Sequence, residues 1–218
     1  MRRGLLAAVL VVAGLVLLGS LTPVRAPATG TVSLGPDQGV VATDYVASAG
    51  TALAALPGGD PAPRWALVSL RGGLTPDAAA PLVGDLRVSR VLLHVAADRV
   101  QTAVVQVDTA GQGAPAGFLA EAQASAAALE AAVASAPGRA GRVAAASAAQ
   151  LRRGCACVVG LVVRGDPAAL AALAGRGPVR AVDVAPAGTS WGSLAVRPLL
   201  PEQTGVVGPG PDDGPVPG

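Results

Sequence analysis

The chain has 218 residues, of which 51% are hydrophobic and only 2% aromatic, and its formal charge is +2. All 16 basic residues are arginines, and without Arg2, Arg3 and Arg25 there remain 13 arginines against 14 acidic residues. No cluster of positive charge exists, so nucleic acid is not an expected partner. With so few aromatic side chains, any core must consist of Val, Leu and Ala, and platforms for stacking on sugars or bases are scarce.

The first 24 residues predict a membrane segment. The run from Leu5 to Leu21 carries no charge, and a helix that continues to Val24 would be roughly 30 Å long, the thickness of a bilayer core. Residues 1–4 are therefore expected to be a cytoplasmic start and residues 5–24 a signal-anchor in the lipid bilayer. Because more positive charge precedes the run than follows it, the remainder of the chain is expected outside the cytoplasm.

A cleaved signal peptide is the alternative interpretation of the same segment. Its cut would fall near Ala26, after the sequence Val24-Arg25-Ala26. The run is longer than the usual apolar region of a signal peptide, and the arginine makes a poor cleavage site, which favours the uncleaved anchor. Both interpretations export the same domain, either tethered to the cell membrane or secreted.

Beyond the anchor, residues 25–62 are predicted to be a tether with a possible helix at 44–56, and residues 63–185 an exported α/β domain. Periodicity and turn signals predict strands at 65–70, 88–95, 100–107, 155–163 and 179–184. The Ala-rich stretch 116–150 is predicted to be helical with a break at Pro137-Gly138. Its apolar stripe indicates either packing on a sheet or a partner-binding or coiled-coil face, and its small side chains favour packing. The stripe consists of Leu119, Ala122, Ala126, Leu129, Val133 and Ala136. The Pro/Gly-rich tail at 186–218 is predicted to be disordered, with Trp191 pinning it to the domain.

An internal repeat supports the predicted fold. Two segments match at identical offsets from a proline, with Pro76, Ala78, Leu82, Gly84, Val88 and Val91 corresponding to Pro167, Ala169, Leu173, Gly175, Val179 and Val182. Each segment predicts a strand, a short helix that ends at a glycine, and a second strand. The two predicted βαβ units are residues 64–95 and 155–185. Such a unit pairs its strands in parallel with a right-handed crossover. The prediction is a βαβ-β-α-βαβ sandwich of two layers, of ferredoxin-like type, which by itself implies no function.

Cys155 and Cys157 are the only cysteines. On a regular strand, residues two apart lie roughly 6.6 Å from each other, so a disulfide would require a kink at Ala156. The pair has two functional interpretations, a redox-active disulfide and a soft-metal clip of the Cu(I) type. The alternative is two small apolar side chains at the start of a buried strand. Only one histidine, His94, is present, so a structural zinc site lacks ligands.

Other polar residues give weaker signals. Arg71 and Arg164 end the two equivalent predicted strands, where they could contact an anion such as a phosphate or carboxylate, or serve only as strand-end charges. The Gly72-Gly73 pair is too short for a phosphate loop, and no lysine follows it. His94 shares one face of its predicted strand with Leu92, while Val91, Leu93 and Val95 lie on the opposite face. It is expected to be a satisfied or half-exposed sheet residue. No catalytic constellation is visible, so we expect neither an enzyme nor a bound cofactor.

The layout combines a short cytoplasmic start, one anchor, a small Ala/Val-rich exported domain with a CAC strand, and a Pro/Gly tail. It resembles uncharacterised actinobacterial single-pass membrane proteins, and the absence of Lys, Asn and Ile fits a GC-rich genome. The leading hypothesis is a non-enzymatic, membrane-tethered interaction or structural domain of the cell envelope, with another envelope protein as its partner. The second hypothesis is a thiol-redox or soft-metal-handling protein that uses Cys155 and Cys157.

Overall fold

The computed structural model describes residues 31–57, 62–84, 86–110 and 114–217. The predicted cytoplasmic start at 1–4, the predicted anchor at 5–24 and the tether residues 25–30 lie outside the described residues. Among the described residues, no helix has the length and apolar character to cross a bilayer. The elements are β1 (Val32–Leu34), α1 (Ala42–Ala54), β2 (Arg64–Leu74), α2 (Pro76–Val83), β3 (Arg87–His94), β4 (Val104–Asp108), α3 (Pro115–Val133), α4 (Gly138–Arg152), β5 (Val158–Gly165), α5 (Pro167–Ala174), β6 (Val179–Val184) and β7 (Leu194–Val196).

The main sheet confirms the α/β class and corrects the strand pairing. Its five strands lie in the order β4-β3-β5-β2-β6, and every neighbouring pair is antiparallel. The two strands of each βαβ unit run in the same direction but are not neighbours, because each crossover skips one position and a strand of the other unit occupies it. The prediction of direct parallel pairing was therefore wrong. The result is two interleaved split βαβ units, the ferredoxin-like order, with β4 added at one edge.

The repeat itself is confirmed at the two short helices. In α2 the Thr75 hydroxyl accepts a hydrogen bond from the Ala78 N–H at 3.3 Å, and in α5 the Asp166 carboxylate accepts from the Ala169 N–H at 2.8 Å. Both helices place proline in their first turn and end at a glycine. Each cap satisfies a backbone donor that the helix itself cannot, which is why the two sequence patterns give the same local structure.

Helices cover one face of the main sheet, where α2, α3 and α5 pack on a core of Val, Leu and Ala side chains. The predicted stripe on α3 is only partly buried. Leu119 and Ala126 are fully buried, whereas Leu129 and Val133 are each 53% exposed. The second half of α3 buries Ala127 and Glu130 instead, and α3 also packs against α4.

The other face of the sheet is covered by the two ends of the described chain. β1 and β7 form a parallel pair, and Trp191 packs on Trp65 with ring centroids 4.9 Å apart, as the pinning role predicts. The predicted helix at 44–56 is confirmed as α1, which packs beside β6 rather than standing in a tether.

The prediction of a disordered tail was wrong. Residues 197–214, the C-terminal segment, pack on the sheet with Leu199 and Val207 buried. The Leu199 N–H donates to the Ser69 hydroxyl at 3.0 Å, and the Arg180 guanidinium donates to the carbonyls of Leu200 and Gln203 at 3.0 and 2.8 Å. The composition did not predict that this segment is ordered, because proline and glycine prevent regular secondary structure. Hydrogen bonds to side chains of the sheet hold the segment instead.

Candidate binding cleft and disulfide

The C-terminal segment and the β3–β4 connection (residues 95–103) enclose an open cleft of about 1050 Å³. Its walls include the polar or charged residues His94, Gln101, Thr102, Arg197 and Glu202, together with the backbone of the Gly/Pro-rich residues 205–211. His94 enters the cleft because it follows Leu92 on the same face of β3, as the alternation of that strand predicts.

Acidic residues hold the C-terminal segment over this cleft. Asp213 forms an ion pair with Arg99, and Asp212 forms one with Arg139 at 3.0 Å. Asp212 also accepts a hydrogen bond from the Gln101 N–H at 3.0 Å. The hydrogen bond from Arg139, followed by that from the Gln101 backbone, lowers the pKa of Asp212. With Glu202, all three acidic residues of the predicted tail therefore pair with basic residues of the domain.

His94 is 8% exposed and both of its ring nitrogens have partners. Nε2 lies 2.8 Å from Glu202 Oε1. Nδ1 lies 3.1 Å from the Thr102 hydroxyl oxygen and 3.5 Å from the Ala103 carbonyl oxygen. The Thr102 hydroxyl donates its own proton to the Val95 carbonyl at 2.6 Å. The prediction of a satisfied sheet histidine is thus confirmed for His94.

These partners determine which atoms carry protons. Thr102 directs its proton to the Val95 carbonyl, so the hydroxyl oxygen faces Nδ1 of the ring. An ionised Glu202 only accepts, so Nε2 carries the hydrogen of the His94–Glu202 hydrogen bond. The hydrogen bond from His94 lowers the pKa of Glu202, although partial burial acts in the opposite direction.

The same geometry bears on catalysis. A threonine, a histidine and a glutamate in contact would suggest a nucleophile, a base and an orienting acid. In a catalytic triad the hydroxyl proton points to the imidazole, which removes it. Here the Thr102 proton points to the Val95 carbonyl and not to the imidazole. The arrangement fixes the ring rather than activating Thr102.

Cys155 and Cys157 are joined by a disulfide, with their Cα atoms 5.2 Å apart. The predicted strand at 155–163 begins only at Val158, because the chain turns at Ala156 and the Cys157 N–H donates to the Cys155 carbonyl at 2.9 Å. This is the kink that a bond between residues two apart requires. The interpretation as two separate apolar thiols on a strand is therefore replaced by a disulfide in a tight turn.

The disulfide turn contacts both the helix layer and the cleft. The Gln123 amide on α3 donates to the carbonyls of Leu151 and Cys155, at 3.0 and 3.3 Å, and lies 3.8 Å from Cys155 Sγ. On the other side, the His94 N–H donates to the Cys157 carbonyl at 2.8 Å. Cys157 is buried, whereas Cys155 is partly exposed.

The structure does not bring the two candidate anion-binding arginines together. β2 continues to Leu74, so Arg71 lies within the strand and donates to the Gly177 carbonyl at 3.2 Å. Arg164 pairs across the sheet with Trp65, and its guanidinium lies 5.3 Å from the Trp65 ring centroid. Arg71 lies six residue steps along β2 from Trp65, roughly 20 Å of strand. A shared anion site is therefore not formed.

The residues of the cleft that sequence reasoning missed include Gln101, Thr102, Arg197 and Glu202. Glu202 lies 108 residues from His94, and no local pattern marks it. The one available signal was the presence of acidic residues in the Pro/Gly-rich tail of a domain rich in arginine. Comparisons of the chain with protein-family models, with curated proteins and with solved structures found no match.

Proposed function

We propose that this chain is a membrane-tethered interaction domain of the bacterial cell envelope, which binds a partner outside the cytoplasm without catalysing a reaction. The observation that carries this proposal is the open cleft of about 1050 Å³ beside His94 and Glu202. A cleft of this size, with a few placed polar groups in its walls, is typical of a ligand site. The packing of the C-terminal segment supports the proposal, since it gives the cleft a second wall.

The proposed location rests on two features. The uncharged run at 5–24, preceded by Arg2 and Arg3, has the length and flanking charge of a single-pass anchor with a cytoplasmic N-terminus. The Cys155–Cys157 disulfide fits the same location, because disulfides persist in oxidising compartments outside the cytoplasm. The resemblance in layout to actinobacterial single-pass membrane proteins agrees with this proposal, and secretion after a cut near Ala26 is the alternative.

The non-enzymatic part of the proposal follows from proton positions in the cleft. The Thr102 hydroxyl proton is donated to the Val95 carbonyl, and Glu202 occupies Nε2 of His94. Neither group is then positioned to abstract a proton from a substrate. This supports a cleft that recognises a ligand rather than one that transforms it.

Photo-crosslinking in cells tests the binding proposal. A photoreactive amino acid replaces Gln101 in the cleft of the full-length protein, and in a matched control it replaces Ser125 on the exposed side of α3. We expect a discrete crosslinked product from position 101 that is absent from position 125. Equal labelling from both positions, or none from position 101, would contradict the proposal.

Membrane fractionation tests the location separately. We expect the full-length protein to stay in the membrane after an alkaline wash, with the intact N-terminal mass and with the exported domain accessible to external protease. A soluble product that begins near Pro27 would show that the protein is secreted instead.

A second candidate function, thiol-disulfide exchange or soft-metal handling, is favoured by the disulfide and the partial exposure of Cys155. Once the pair is reduced, two thiolates two residues apart could bind a Cu(I) ion, and the nearby Gln123 amide could donate to Cys155 Sγ. Thiol trapping on living cells tests it. A mixture of reduced and oxidised protein that responds to external oxidant or copper supports this candidate, and a permanently oxidised pair counts against it.

A further inference from the structure

We propose that the cleft binds its partner through a carboxylate group, which takes the place of the Glu202 carboxylate at His94 Nε2. Glu202 is then a built-in competitor for the site. This inference rests on the proposed function, because it names the ligand chemistry of the same cleft.

The first argument is the orientation of His94. Thr102 and Ala103 fix the Nδ1 side of the ring, and burial of the side chain prevents it from turning. The Nε2 donor is therefore held toward the cleft, where it meets a carboxylate oxygen at 2.8 Å. Glu202 shows that a carboxylate fits this position and forms a charge-assisted hydrogen bond there.

The second argument is that Glu202 can leave without releasing the C-terminal segment. Its side chain is 49% exposed. The backbone around it is held by other contacts, from Arg180 to the carbonyls of Leu200 and Gln203, and from the Val207 N–H to the Val40 carbonyl at 2.8 Å. A rotation of the Glu202 side chain would therefore expose the His94 donor and leave the cleft wall in place.

The third argument is charge and space. Arg197 lines the same cleft with an exposed side chain and provides a cation for an anionic group. A contact that served only to fasten the segment would not need an open space of about 1050 Å³ beside it. That space suits a ligand of the size of a short peptide, whose carboxylate is either terminal or on a side chain.

Nuclear magnetic resonance of the full-length protein in detergent tests the proposal, because His94 is the only histidine and gives a single set of imidazole signals. Three probes are titrated. They are N-acetyl-trialanine with a free C-terminus, its C-terminal amide, and the amidated peptide with a central glutamate. We expect the imidazole signals to shift with a free carboxylate and not with the neutral amide. A response to the first peptide alone identifies a terminal carboxylate, and a response to the third identifies a side-chain carboxylate.

Variants separate ligand binding from general effects. If the Glu202 contact is closed about nine-tenths of the time, its removal raises the apparent affinity about tenfold, so Glu202→Gln should lower the Kd of the carboxylate peptide by that factor. Arg197→Gln should weaken binding severalfold, while Arg142→Gln, on the exposed side of α4, should leave it unchanged. If Glu202→Gln fails to fold, the proposal is tested by the wild-type titration and by the difference in Kd between Arg197→Gln and Arg142→Gln.

Two results would overturn the inference. One is imidazole signals that do not move with any carboxylate peptide, and the other is an equal response to the neutral amide. A discrete crosslink from position 101 together with unmoved His94 signals would leave the proposed function standing and remove only the carboxylate assignment. Carboxylate binding without a crosslink in cells would leave the carboxylate assignment standing and remove the proposed function.

Discussion

At the residue scale, His94 shows what the alternation of a strand can predict and what it cannot. Alternation along β3 correctly predicts that His94 lies on the face opposite Val91 and Leu93. The identity of its partner could not be predicted, because Glu202 comes from a segment 108 residues away that composition assigns to disorder. A period of two specifies a face of a sheet, whereas the group that covers this face depends on the tertiary fold.

The lowered pKa of Glu202 predicts a pH dependence of stability. A carboxyl group whose pKa is lower in the folded state stabilises the fold above its unfolded pKa of about 4.5, and this contribution is lost as the pH falls through the folded pKa. Urea unfolding of the full-length protein in detergent should therefore show a steeper loss of stability below about pH 4.5 for the wild type than for Glu202→Gln.

Glu121→Gln, an exposed substitution on α3, provides the matched control and should retain the acid dependence of the wild type. If Glu202→Gln and the wild type lose stability in parallel from pH 5 to pH 3, the hydrogen bond between Glu202 and His94 does not exist in solution.

At the scale of elements, the parts of the fold that local signals specify were predicted well. The caps at Thr75 and Asp166, the prolines after them and the glycine stops give α2 and α5, and the apolar runs give the main strands. Strand order was not predictable in the same way. Interleaving of the two units depends on which strands pair over long distances, and each unit taken alone is equally compatible with direct parallel pairing.

The Gly72-Gly73 pair, too short for a phosphate loop, has a packing role at its second position. A Cβ atom on Gly73 would lie 2.0 Å from the Ala156 carbonyl oxygen, in the disulfide turn, whereas one on Gly72 would meet nothing within 4 Å. Gly73→Ala should therefore destabilise the protein by about 2 kcal/mol or more, since the backbone of the turn must move. Gly72→Ala should change stability by less than about 0.5 kcal/mol. Equal effects in urea unfolding would contradict the close approach of β2 to Ala156.

The disulfide is expected to contribute modestly to stability. Because it closes a loop of only three residues, the loss of chain entropy that it imposes on the unfolded state is worth about 1.5 kcal/mol. The double variant Cys155→Ala/Cys157→Ala should lose about this amount in urea unfolding, and reductant should then have no further effect. Reductant should destabilise the wild type by a similar amount. Complete unfolding of the wild type on reduction would show that the bond has a larger structural role.

At the scale of the whole molecule, the C-terminal segment completes the protein. The helices cover only one face of the sheet, and Trp65, Leu67 and Leu92 on the other face would be exposed without β1, β7 and the segment. Composition suggested a tail because the segment has many Pro and Gly residues and few apolar ones. A few buried side chains, such as Leu199 and Val207, together with ion pairs to Arg99 and Arg139, are sufficient to dock it.

The central claim, that this segment is folded and forms a wall of the cleft, is tested most directly by amide hydrogen exchange of the full-length protein in detergent. The backbone N–H groups of Leu199, Val207 and Gly214 donate to Ser69, Val40 and Arg99. We expect these amides to exchange about a hundredfold or more slowly than in an unfolded chain. Exchange of all three at the unfolded rate, with the amides of β2 still protected, would contradict the claim and remove the proposed binding site with it.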